Sequence, residues 1–124
     1  MLSQWEEFPI GPGDEGGELH VTLSRKGEIL IGAAAFEKMG QPEAAILLFD
    51  KLNTKIGLLP SDKRVANAYP LKTVTRARHR VVRANRFCRH HGIRVERTVA
   101  FNKPIIDQDG MLVLDLVRVS KIGR

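Results

Sequence analysis

Residues 19–60 read LHVTLSRKGEILIGAAAFEKMGQPEAAILLFDKLNTKIGLLP, and their hydrophobic pattern predicts the first elements of the fold. Apolar and polar residues alternate over 19–23, which is the periodicity of a β-strand, and Ile29 and Ile31 then alternate with Glu28 and Leu30 as a return strand. The intervening residues 25–27 end on Gly27, which can supply the positive φ of a tight turn. We therefore predict a β-hairpin at the start of this stretch.

A short helix and a second hairpin are predicted next. Residues 33–39 have high helix propensity, Gly40 follows as a C-terminal stop, and Pro42 prevents continuation of the helix. Residues 44–49 form a continuous apolar run, which is typical of a buried strand, and residues 55–59 form its return strand. The predicted order is strand, strand, short helix, strand, strand.

The second half of the chain predicts a basic helix followed by strands. An apolar stripe at helical spacing and a suitable stop at Gly92 predict a helix from about 75 to 91, whose first turn could instead be extended. Alternation over 95–101, a turn signal at 107–110 and an apolar run over 111–117 then predict a C-terminal hairpin.

The stretch from 19 to 60 resembles the AbrB-like, swapped-hairpin domains of bacterial transition-state regulators, MraZ proteins and antitoxins. The positions that carry the resemblance are Gly27, Ile29, Ile31, Met39-Gly40, Ile46-Leu47-Leu48 and Ile56-Gly57-Leu58. The resemblance implies an interleaved homodimer in which two chains share strands. It also implies DNA binding through basic residues of the first hairpin, which here are Arg25 and Lys26.

Together these observations predict an α+β fold with an AbrB-like swapped-hairpin β core, a C-terminal basic helix and a β-hairpin. We expect residues 1–17 to form a flexible N-terminal arm and residues 18–124 to form a single domain. Within that domain, the AbrB-like core spans 18–60, and the basic helix with its hairpin extension spans 61–124.

The charge of the chain is divided between its two halves. Residues 1–62 contain five Lys or Arg against ten Asp or Glu, whereas residues 63–124 contain fifteen against four. Most of the excess lies between Lys72 and Arg97, where eight arginines and one lysine face the single acid Glu96. A field of this kind attracts a polyanion or an acidic protein surface.

The first hairpin and the basic segment provide the candidate nucleic-acid-binding residues Arg25, Lys26, Arg76, Arg80, Arg83 and Arg86. Arginine favours bidentate contacts with phosphate or carboxylate. The leading hypothesis is a small, non-enzymatic, regulator-like protein that binds duplex DNA as a homodimer. The alternative is a homo-oligomeric assembly or protein-interaction module without nucleic-acid binding, whose arginines pair with the protein's own acidic half or with a partner chain.

Other functional classes lack their usual residue patterns. Cys88, His90 and His91 lie close together, but a structural zinc site needs four ligands, and the glycine-rich residues 11–17 lack the Lys-Ser/Thr ending of a phosphate loop. We therefore expect no metal, no cofactor, no small-molecule substrate and no enzymatic activity. No apolar run approaches the roughly 18–20 residues of a membrane span. The single cysteine fits a reducing compartment, so we expect a cytoplasmic protein.

Overall fold

The computed structural model describes residues 19–74 and 78–122, of which 42% lie in strands and 13% in helices. The predicted arm at residues 1–17 and the candidate site residue Arg76 fall outside these ranges. The strands are β1 (Val21–Leu23), β2 (Glu28–Ile31), β3 (Ala44–Asp50), β4 (Lys55–Ser61), β5 (Ala68–Pro70), β6 (Lys72–Thr73), β7 (Arg80–Arg83), β8 (Val99–Phe101), β9 (Ile105–Ile106), β10 (Leu112–Asp115) and β11 (Val119–Lys121). The helices are α1 (Ala33–Lys38) and α2 (Asn85–His91).

Two antiparallel sheets contain the described strands. Sheet A has the strand order β11-β8-β1-β2-β7-β6, and sheet B has the order β5-β3-β4-β10-β9. Both sheets contribute to one apolar core, in which Ile29 of sheet A and Leu58 of sheet B are fully buried. Phe36 of α1 and Phe87 of α2 belong to the same core, so both helices are fixed against the sheets. No helix in the described ranges has the length and apolarity to cross a membrane.

The expected α+β, AbrB-like swapped-hairpin core with a C-terminal basic helix is wrong. The described residues are mostly β, and the hairpins β1–β2 and β3–β4 lie in different sheets. Strand β7 extends the first hairpin along β2, and strand β10 extends the second along β4. Strands from the second half of the same chain therefore occupy the edges that a swapped dimer would pair with its partner.

The predicted basic helix from about 75 to 91 is replaced, over its described residues, by strand β7 and the short helix α2. Val81 and Val82 are β-branched and favour extended backbone, and they pair with Leu30 and Ile29 of β2. Val82 is completely buried by this pairing. Burial in a sheet outweighs local helical preference here, because a short helix draws most of its stability from tertiary packing.

Residues 28–40 (the first unit) and 80–92 (the second unit) have the same local architecture. Each unit has a four-residue strand, one linking residue, a short helix and a glycine with positive φ, which is 90° at Gly40 and 68° at Gly92. Both glycines end their helix, as the sequence predicts. Because β2 and β7 are antiparallel neighbours, an approximate local twofold axis relates the two units.

The turn between β1 and β2 lies directly against the start of α2. Gly27 has a φ of 82°, and the N–H of Ala84 donates to the carbonyl oxygen of Gly27 at 2.9 Å. A Cβ atom on Gly27 would lie 2.7 Å from the Cα of Asn85, which is closer than packed atoms approach. The turn and the helix can therefore meet in this way only because position 27 has no side chain.

Replacing Gly27 with Ala should lower the free energy of unfolding by about 2–4 kcal/mol, because backbone strain at positive φ adds to overpacking against Asn85. Gly40→Ala is the matched control, since Gly40 has a φ of 90° but no atom within 4 Å of the added Cβ. This control should lose only about 1 kcal/mol. Urea denaturation measures both values, and equal losses would show that the contact between the turn and α2 does not constrain the fold.

Candidate functional site

Five exposed cations surround the contact between the β1–β2 turn and α2. Arg25 and Lys26 lie in the turn, Arg83 ends β7, and Arg86 and Arg89 lie on α2. We call these five residues the basic surface. Residues far apart in the sequence meet here because β7 pairs with β2 and because Gly27 allows the turn to touch α2.

Local hydrogen bonds and helix geometry fix these positions. The Ser24 hydroxyl accepts hydrogen bonds from the backbone N–H groups of Lys26 and Glu28, both at 3.2 Å, which holds the turn closed. On α2, Arg86 and Arg89 are three residues apart and therefore share one side of the helix. The intervening Phe87 is buried in the core and anchors that helix.

The cations of the basic surface lack close acidic partners within the described residues. The ion pairs found in residues 19–74 and 78–122 are Arg64–Asp62, Arg78–Glu37 and Arg118–Asp115. Glu28 lies opposite Arg83 in the strand register, so its carboxylate offsets part of the charge of that arginine. Among the described residues, no carboxylate forms an ion pair with the other four cations, so the described part of the chain has a positive field at this end.

The local twofold axis relates an ion pair on one side of the molecule to a pair of cations in the basic surface. Glu37 of α1 accepts a hydrogen bond at 2.7 Å from Arg78, which lies two residues before β7. In the twofold-related pair of positions, Arg89 of α2 corresponds to Glu37 of α1. Lys26, which lies two residues before β2, corresponds to Arg78. Arg78 and Glu37 form an ion pair, whereas the corresponding residues Lys26 and Arg89 are both cations. An external anion can neutralise their positive charge.

A groove of about 490 Å³ adjoins the basic surface. Its walls are formed by Tyr69, Arg86, Phe87, Arg89 and His90. The groove therefore combines cationic groups with aromatic surface, which suits an anionic ligand that also carries an apolar or aromatic part.

His91 does not add to this positive charge near neutral pH. Its ring packs against Phe49 and Phe87, with centroids at 4.8 and 4.7 Å. Desolvation lowers the pKa of His91, and repulsion from His90 and Lys51 lowers it further. The ring is therefore neutral at pH 7 and contributes to packing.

The structure places Arg80 apart from the other sequence-predicted cations. Its guanidinium carbon lies 4.2 Å from the centroid of the Phe36 ring, and its Nη1 donates to the carbonyl oxygens of Arg78 and His79 at 3.3 and 3.2 Å. Arg80 lies opposite Ile31 in the register, on the inner side of the strand, which explains this packing.

The basic surface thus brings together Arg25, Lys26, Arg83 and Arg86 of the predicted site, and adds Arg89. The spacing of Arg86 and Arg89 was the signal for that addition.

Cys88 and the histidines offer no reactive or metal-binding centre in the described residues. Cys88 is 5% exposed, and burial raises the pKa of its thiol, which disfavours the nucleophilic thiolate. No group of three or more His, Cys, Asp or Glu side chains in the ranges 19–74 and 78–122 is arranged to hold a metal ion.

Substitutions at Arg80 and Arg86 should separate a structural arginine from a surface arginine. Arg80→Gln should lower the free energy of unfolding by about 1–2 kcal/mol, because it removes the stacking on Phe36 and two hydrogen bonds to backbone. Arg86→Gln should change it by less than about 0.5 kcal/mol. Urea denaturation tests both, and a large loss for Arg86→Gln would mean that this arginine supports the fold.

Comparison with known proteins gives no match to a family model, a curated protein or a solved structure.

Proposed function

We propose that this protein is a small, non-enzymatic, regulator-like protein that binds duplex DNA through the basic surface. The observation that carries the proposal is the contact of Gly27 with Asn85, which joins cations of the first hairpin to cations of α2 on one rigid support. Binding sites on rigid elements hold their side chains in place without a large ordering cost. We place this function in the cytoplasm, in keeping with the single cysteine.

The composition of the basic surface favours phosphate contacts over base recognition. Four of its five cations are arginines, whose planar guanidinium groups bind phosphate oxygens in pairs. The nearby aromatic residues are few, and Phe87 is buried in the core, so stacking of successive bases on this surface is limited. Such contacts orient a protein on DNA and carry little sequence information.

The quadruple variant Arg25→Gln, Lys26→Gln, Arg86→Gln and Arg89→Gln tests the proposal. The unmodified protein should bind a short labelled duplex at about 50 mM salt, and log affinity should fall against log salt with a slope of about −3 to −4, because roughly four phosphates are neutralised. The variant should flatten the slope toward zero. Fluorescence anisotropy over a salt series measures both, with circular dichroism to confirm the fold.

A charge-matched control distinguishes a local site from general attraction. The variant Lys51→Gln, Lys63→Gln, Lys103→Gln and Lys121→Gln removes the same charge from exposed positions outside the basic surface. It should keep the slope and lose little affinity. If both variants weaken binding equally, net charge rather than the basic surface is responsible, and the proposed site is wrong.

The alternative function, a homo-oligomeric assembly module, is supported by a different face of the molecule. The apolar run over 44–49 is not buried on both sides, since Leu48 is 44% exposed on the outer face of sheet B. In the strand register, Leu48 begins a row of cross-strand neighbours on this face. The row continues through Gly57 and Val113 to Ile105, which is 57% exposed. The exposed side chains at the two ends of this row, Leu48 and Ile105, suit packing against the same face of a second copy.

Sedimentation tests this alternative directly. If the outer face of sheet B mediates a homodimer, the protein should sediment as a dimer at micromolar concentration, and Leu48→Lys with Ile105→Lys should yield folded monomers of 13.9 kDa. The control Leu52→Lys with Val117→Lys changes two residues that are 90% and 72% exposed in turns, and it should leave the dimer intact. A monomeric unmodified protein would reject the assembly function.

A further inference from the structure

The acidity of the first half of the chain is confined to its first 18 residues. Residues 1–18 contain five acids and no Lys or Arg, whereas residues 19–62 contain five Lys or Arg and five Asp or Glu. We call residues 1–18 the acidic segment. Its charged residues are Glu6, Glu7, Asp14, Glu15 and Glu18. The net negative charge of the first half therefore belongs to the segment that precedes β1, and residues 19–62 have no net charge.

We propose that the acidic segment docks on the basic surface of its own chain and competes there with nucleic acid. This inference rests on the proposed function, because the same cations would bind either carboxylates of the segment or phosphates of DNA. The docked segment is then an internal competitor for the same cations. It lowers the affinity of the protein for polyanions that bind weakly, and polyanions that bind tightly displace it.

The acidic segment matches the basic surface in charge and in side-chain type. Five carboxylates of the acidic segment correspond in number to the five cations of the basic surface. The segment also carries Trp5 and Phe8, and the adjoining groove presents the half-buried ring of Tyr69 beside its cations. An acidic peptide with aromatic residues thus fits both parts of the site, through carboxylate–guanidinium pairs and through aromatic packing.

The length of the chain permits this contact. The segment joins the fold just before β1, which runs for three residues toward the β1–β2 turn and is therefore about 10 Å long. Residues 11–18 alone can span up to about 25 Å when extended, so Trp5 and Phe8 can reach the far end of this strand. A tethered segment meets its site at an effective concentration of the order of millimolar, so even weak intrinsic affinity occupies the site.

Trp5 is the only tryptophan of the chain, and its fluorescence reports on the acidic segment without any added ligand. In the full-length protein, docking should protect Trp5 from quenching by the neutral molecule acrylamide. Raising the salt to 1 M should increase the quenching constant about twofold or more, because the screening length falls from about 10 Å at 0.1 M to about 3 Å.

Variants of the full-length chain show which cations hold the segment. The quadruple variant at Arg25, Lys26, Arg86 and Arg89 should make Trp5 as accessible at low salt as it is in 1 M salt. The control at Lys51, Lys63, Lys103 and Lys121 should leave Trp5 protected. If Trp5 is equally accessible in the unmodified protein and in the quadruple variant, the acidic segment does not dock on the basic surface and the inference is wrong.

A second readout connects docking to nucleic-acid binding. Neutralising the segment with Glu6→Gln, Glu7→Gln, Asp14→Asn, Glu15→Gln and Glu18→Gln should strengthen binding of the duplex about tenfold at low salt, since the tethered competitor is removed. Saturating duplex should also expose Trp5 in the unmodified protein. Unchanged affinity after neutralisation would overturn the competition while leaving DNA binding intact. Absence of duplex binding in both proteins would reject the proposed function and, with it, the competition.

Discussion

Strand β7 lies alongside β2, with Val82 opposite Ile29 in the core, and the positions of the elements that carry the basic surface depend on this pairing. It adds the second half of the chain to the first hairpin and sets α2 beside the β1–β2 turn. The pairing also fixes which side chains of β7 face the core, so that Arg80 lies on the inner side of the strand and Arg83 on the outer side. A one-residue shift in register would exchange these two sides and dissolve the basic surface.

The local features of the sequence predicted much of this structure. The first hairpin with its turn at Gly27, and both helix ends at Gly40 and Gly92, follow from residue types whose conformational preferences act over a few positions. The basic helix was wrong because Val81 fits a helical stripe as well as a strand, whereas its neighbour Val82 lies off that stripe and is buried only when it pairs with Ile29 in the sheet. The choice between them depends on a partner strand some fifty residues earlier in the chain, which local periodicity does not reveal.

The candidate site was predictable to the same extent. Arg25, Lys26, Arg83 and Arg86 were selected for their charge, and the fold brings them together. Arg80 has the same charge and lies only three residues before Arg83, yet it stacks on Phe36, because its position in the register and not its residue type decides its environment. The swapped-hairpin expectation failed for a related reason, since a single hairpin cannot indicate whether its edge is filled by its own chain or by another.

The contact between Gly27 and Asn85 also makes the basic surface a property of the folded state alone. Its cations come from segments that are separated in the sequence and that meet only after long-range strand pairing. An anion bound across both segments therefore favours the native chain over the unfolded one, by an amount that grows with the logarithm of its concentration. Polyanions in the cell would then act as folding ligands, and a chain synthesised as far as the first hairpin would have only two of the five cations that bind them.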